Sequence, residues 1–145
     1  MNFDLTEEQR MLKALVEKFV HNDLMPFEAT VMAREASGQS IGLTEAELAP
    51  LYNQCRELGL WGLDVPEAYG GANLDTVTLM GVNEELKRTI VPFTFPPDSP
   101  NLHMLIATAN EDQKARYLAP YGRGETVSAI AISEPGAGAD PAGMM

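Results

Sequence analysis

Two short strings, Thr6-Glu7-Glu8-Gln9 and Thr44-Glu45-Ala46-Glu47, fix where helices must begin. In each, the threonine hydroxyl can accept from the amide three residues on, while the Gln or Glu side chain reaches back to the threonine amide. Two otherwise orphaned N–H groups are satisfied together. Behind the first string, Leu12, Leu15, Val16, Phe19 and Val20 form one apolar stripe at the 3.6-residue period, which Pro26 is expected to stop. Behind the second come Leu48, Leu51, Tyr52, Cys55 and Leu58, with Gly59 as terminator. Pro50 is expected to kink or restart this helix, because an interior proline removes a backbone hydrogen bond.

The helical reading extends through most of the chain. A segment from Glu28 to Ala36 closes on Ser37-Gly38, and Asp75 or Thr76 caps a helix whose buried stripe is Leu79, Val82, Leu86 and Ile90, ended by Pro92. Between them, Leu60 to Asn73 mixes glycine and proline with Trp61, Leu63, Val65 and Tyr69, the composition of an ordered loop. Pro96, Pro97, Asp98, Ser99 and Pro100 make the next stretch extended. Leu102 to Ala109 is apolar enough for a buried helix, and Asn110 caps a short one through Gln113, Tyr117 and Leu118, finished by Gly122 and Gly124.

From Thr126 to Ile132 the period changes. Val127, Ile130 and Ile132 with small residues between them read as a strand, which breaks at Pro135-Gly136. A strand needs partners, and none can be read after it. The expected fold is therefore mainly α, an all-helical domain over 1–124 ending in the first strand of a truncated β-domain over 125–145.

Bulk properties exclude several functions. The formal charge of −11 repels nucleic acid and anionic lipid. No apolar run approaches the ~20 residues that span a bilayer. The first residues carry neither a signal-peptide nor a transit-peptide pattern, and Cys55 stands alone, so a cytoplasmic protein without disulfides is expected.

Candidate chemistry is sparse. Gly136-Ala137-Gly138 fails as a dinucleotide fingerprint, because the third glycine falls at Pro141 and no helix follows. Two readings of this segment stay open: a tight turn between strands, or a nest of backbone amides from Gly136 to Ala139 with the Ser133 hydroxyl aimed at a cofactor. His21 and His103 lack partners at metal-ligand spacing. Cys55 reads as a buried, inert thiol. Glu84 and Glu85 suit either acid/base work or a solvated, ion-paired helix face, and the second is expected. Trp61 and Tyr69 read as packing anchors.

Ser133-Glu134-Pro135-Gly136-Ala137-Gly138-Ala139-Asp140 resembles the T-E-P-x-A-G-S-D signature of the acyl-CoA dehydrogenase family. Leu5-Thr6-Glu7-Glu8-Gln9, Leu58 to Leu63, Val65 to Gly71, Glu84-Glu85-Leu86, and Asp112 to Leu118 with Gly124-Glu125 resemble further family segments in the same order. The resemblance implies an N-terminal helical domain that, with a middle β-domain and a C-terminal bundle, encloses FAD and an acyl-CoA substrate. It implies α,β-dehydrogenation, with electrons passed to an electron-transferring flavoprotein, in a homo-oligomer when full length.

By the same resemblance Ile130, Ile132 and Ser133 lie against the flavin, and Gly138 and Ala139 stand beside its phosphates. Ser133 replaces the family's threonine and keeps the hydroxyl, whereas Ala139 replaces a serine and loses a donor. The family's catalytic glutamate has no counterpart in these residues, so the chain is expected to be inactive alone. Pro92 to Pro100 is unusual for the acyl-facing wall and implies altered substrate shape selectivity. A non-catalytic helical interaction module, or an oxidase of the same family, would carry the same pattern.

Overall fold

The computed structural model describes residues 4–97, 101–129, 131, 134–136, 138 and 141–144. Helix α1 spans Glu7–Phe19 and opens on the expected capping box, with the Gln9 amide donating to the Thr6 hydroxyl at 3.2 Å and the Thr6 amide to the Gln9 side chain at 3.0 Å. Its path does not stop at Pro26. A π turn at Val20–Leu24 and a 3-10 turn at Met25–Phe27 carry the chain directly into α2, Glu28–Ala36. The Met25 amide reaches back to the Val20 carbonyl, and Pro26 then falls in the first turn of a new helical segment, where its missing N–H leaves nothing unpaired.

Helix α3, Glu45–Leu58, likewise runs through Pro50 without a break. Pro50 and Ala46 both face solvent, so the carbonyl that Pro50 leaves free is open to water. Gly59, at φ +72°, then ends α3 as expected, with the Leu60 amide donating to the Cys55 carbonyl at 2.7 Å.

Asp75 caps α4, Thr76–Leu86, by accepting from the Val77 and Thr78 amides at 2.9 and 3.1 Å. This helix ends at Leu86, so Ile90, expected on its buried stripe, lies beyond it and is 55% exposed. Thr89 turns inward instead and donates its hydroxyl to Glu28 at 2.8 Å. Three short helices follow: α5 at Leu102–Thr108, α6 at Glu111–Gln113 and α7 at Ala119–Gly122, the last two joined by a π turn at Lys114–Leu118. Of α5, expected to be buried, only Leu102 is enclosed; Met104 is half exposed.

The strand expected over 126–132 does not form among the described residues there. Residues 127–129 and 131 hold no regular structure, and Val127 is 91% exposed. A strand is stabilised by its ladder, and no neighbouring strand is present among the described residues to supply one. The described chain is thus mainly helical, as read.

Two apolar clusters hold the helices together. The larger joins Val16, Phe19, Leu51, Cys55, Val82 and Leu86 from α1, α3 and α4 with Phe93, and the rings of Phe19, Phe93 and Phe95 lie 5.7 Å apart pairwise. The smaller joins Val65, Leu102, Leu118 and Tyr121. Between them the loop over residues 60–73 folds back on itself, with the Ala72 amide on the Gly62 carbonyl and the Leu74 amide on the Leu63 carbonyl, both at 2.8 Å. The Gly62 amide donates to the Pro96 carbonyl at 2.8 Å and ties this loop to the extended proline stretch, whose Pro96 and Pro97 are buried. Trp61 packs edge-on against Tyr52 at 6.0 Å, as an anchor should. Cys55 is fully enclosed, and burial, with Asp23 nearby, pushes its thiol up to about 12, which leaves it inert.

Glu85 departs from the expected solvated face. It is 4% exposed, taking Arg88 at 2.9 Å and Lys13 of α1 at 3.2 Å. Burial alone would raise its pKa, but the bonds from Arg88 and Lys13 outweigh that and hold it below the ordinary glutamate value. Its neighbour Glu84 does face solvent, pairing with Lys13 at 3.0 Å.

A second pair, Arg34–Glu47 at 2.9 Å, ties α2 to the start of α3. The Arg34 guanidinium, helped by Thr44, lowers Glu47 from 4.5 to about 2. A depressed carboxylate contributes stability that is full above its unfolded pKa and fades as pH falls through the folded one. The stability difference between the native chain and Glu47→Gln should therefore shrink between pH 4.5 and about 2. Denaturant midpoints at several pH values check this, and a gap that is constant across that window contradicts it.

Candidate functional site

The chain turns sharply between α5 and α6. Thr108 donates its hydroxyl to the Met104 carbonyl at 2.8 Å, Ala109 becomes extended, and Asn110 starts α6 with a capping box in which it and Gln113 exchange bonds of 2.9 Å. The turn folds the π segment back beside α5 and leaves an open groove of about 510 Å³ between them, closed at one end by residues 126–128. Leu105, Ala109, Leu118 and Val127 give it apolar walls.

The enclosed end of the groove is polar and internally satisfied. The Tyr121 and Ser128 hydroxyls share a hydrogen bond of 2.6 Å, and the Asn101 side-chain amide donates to Ser128 at 2.8 Å. Asn101 therefore leaves the N-terminus of α5 without a side-chain cap and pins residue 128 instead. Tyr121 is 3% exposed, and no buried side-chain polar atom among the described residues lacks a partner. Arg116 and Tyr117 stand on the open rim, the guanidinium 5.1 Å from the ring centroid.

Glycine sets the exit from this region. At Gly124 the backbone is left-handed, φ +71°, and a Cβ would come within 2.5 Å of the Trp61 ring, so no other residue fits without displacing that ring. The chain leaves Trp61 at a fixed point and lines the groove with residues 126–128.

Beyond the groove, Pro135 and Gly136 form the expected turn, and Gly138 lies exposed in a bend. Ile130, Ile132, Ser133 and Ala139 lie outside the described residues. A Cβ at Gly136 or Gly138 would meet nothing within 4 Å, so the backbone at these two residues is open to solvent. Among the described residues no three His, Cys, Asp or Glu side chains are placed to hold a metal, and no helix is long and apolar enough to cross a membrane.

Asn101, Arg116, Tyr121 and Ser128 were not legible as site residues. Tyr121 could have been found three residues after Leu118 on the same helical face, whereas nothing local marks Ser128 or Asn101.

The comparisons first define a class, the N-terminal helical domains of acyl-CoA dehydrogenases. The family described as "Acyl-CoA dehydrogenase, N-terminal domain" matches residues 6–125. The chain is 39% identical to (R)-benzylsuccinyl-CoA dehydrogenase of Thauera aromatica, over 99% of its own length and 37% of that enzyme's. It superposes on an acyl-CoA dehydrogenase of Geobacillus kaustophilus with a TM-score of 0.67 at 28% identity, over 98% of this chain and 35% of the other. It also superposes on a Bacillus anthracis acyl-CoA dehydrogenase complexed with FAD, with a TM-score of 0.62 at 29% identity, over 97% of this chain and 23% of the other. The chain belongs to the acyl-CoA dehydrogenase family, and it spans about a third of the length of the curated relative, at 37%.

Proposed function

We propose that the chain is the helical part of an FAD-dependent acyl-CoA dehydrogenase, with residues 1–124 as the N-terminal domain and 125–145 as the start of a middle β-domain. The observation that carries this is collinear identity of 39% over 99% of the chain with an enzyme of that activity. Bound FAD would accept the hydride lost from the β-carbon of the thioester.

In this reading Ser133 would offer its hydroxyl to the flavin, Ile130 and Ile132 would pack against its ring, and the backbone at Gly138 and Ala139 would hold the phosphates. The α5 groove walls one side of the acyl chain and excludes water from it. The base that takes the α-proton belongs to a part of the family outside these residues, so the chain alone is inactive. Electron-transferring flavoprotein is the acceptor, the full assembly is a homo-oligomer, and the setting is cytoplasmic.

Replacing the corresponding third of the Thauera aromatica relative with residues 1–145 tests the reading. The chimera is expected to retain FAD on purification and to bleach it when an acyl-CoA thioester is added. The unjoined chain, given FAD, acyl-CoA and an artificial acceptor, is expected to show no reduction. A folded chimera that holds flavin yet stays oxidised with a panel of straight, branched, aryl and dicarboxylic thioesters overturns the reading.

A further inference from the structure

The α5 groove holds one feature that a general acyl pocket does not require. Arg116 is the one charged side chain on its lining among the described residues, among apolar and uncharged polar neighbours. Five other cations, Lys13, Arg34, Arg88, Lys114 and Arg123, each hold a carboxylate at 2.6 to 3.0 Å. Arg116 has no such partner among the described residues, in a chain that carries 21 acidic side chains. Among the described residues the Arg116 guanidinium is the only charge complement that the groove's lining offers an anion.

The hydroxyls of Tyr121 and Ser128 do not compete for that role. Tyr121, Ser128 and Asn101 bond one another, so the enclosed end presents saturated hydroxyls rather than free donors. A guanidinium fork matches a carboxylate with two parallel bonds, and its face can rest on an aromatic ring, here Tyr117. The groove's volume of about 510 Å³ suits a small molecule.

We propose that the groove binds an apolar group ending in a carboxylate, its body against Leu105, Leu118 and Val127 and its carboxylate on Arg116. The identity of that ligand as an acyl thioester with a distal carboxylate rests on the dehydrogenase reading. Arg116 is then a specificity-determining residue, selecting acidic acyl groups over neutral ones.

Two arms separate this proposal from the reading beneath it. In the first, phenylbutyrate and its uncharged amide are titrated into the 145-residue chain and followed by NMR. The acid is expected to shift groove resonances and to bind at least about tenfold more tightly than the amide, and Arg116→Gln is expected to abolish that preference. Val127→Asp, at a position 91% exposed, sets a like charge beside the carboxylate and is expected to weaken the acid more than the amide. Equal binding of acid and amide, or an acid preference that survives Arg116→Gln, overturns the proposal.

In the second arm the chimera is assayed with a dicarboxylic and a neutral acyl-CoA of equal length. Arg116→Gln is expected to lower kcat/KM about tenfold for the first through KM and to leave the second unchanged. An active chimera in which both substrates change equally overturns the proposal and spares the dehydrogenase reading. Acid-selective binding in the first arm with an inert chimera does the reverse.

Discussion

Gly71→Ala is expected to destabilise the fold by about 3 kcal/mol or more. A Cβ at Gly71 would drive into the Val65 carbonyl oxygen, its carbonyl carbon and its Cβ, so the obstacle is backbone rather than the flexible end of a side chain. Val65 cannot retreat, because its carbonyl accepts the Asn73 amide at 2.9 Å and its side chain is fully buried against Leu102 and Leu118. Gly70→Ala is the control. Gly70 is left-handed at φ +87° with nothing within 4 Å of a Cβ, so alanine there pays only the conformational penalty of about 1 kcal/mol. Urea unfolding of the two variants should rank them widely apart, and a Gly71→Ala cost no larger than that of Gly70→Ala refutes the packing described for this loop.

Phe19→Ala should cost about 3–5 kcal/mol, the range for emptying an aromatic site in a core that cannot collapse. Phe19 is 1% exposed and its ring contacts both Phe93 and Phe95, so truncation removes area and leaves two partner rings facing a void. Met11→Ala on the same helix, 67% exposed, should stay within about 0.5 kcal/mol. Thermal or denaturant melts of both variants measure the contrast. Equal losses at the two positions would mean that α1 is not oriented by its apolar stripe.

What the sequence disclosed was whatever is decided within a few residues. The Thr6 and Thr44 capping boxes, the Asn110 and Asp75 caps and the Gly59 terminator are decided by the nearest few residues, and each was readable. Pro26 misled because it falls in the first turn of a new helical segment, the 3-10 turn Met25–Phe27, where its missing donor leaves nothing unpaired. The end of α4 at Leu86 depends on Glu28, 61 residues before Thr89, and the burial of Glu85 depends on Lys13. Neither partner is visible from α4 itself. The candidate site was legible only as a family pattern over 130–139, while the groove arises where Asn101 meets Ser128 across 27 residues.

Leu63 and Val65 are two positions apart, yet the first lies in the larger apolar cluster and the second in the smaller. The segment that holds them works like a rivet through two plates. Leu118 lines the groove and packs in the same cluster as Val65, so a molecule seated there adds free energy to a unit clamped to α1, α3 and α4. Occupancy at one edge of the chain would thus register in the melting of its far side, with no helix having to shift.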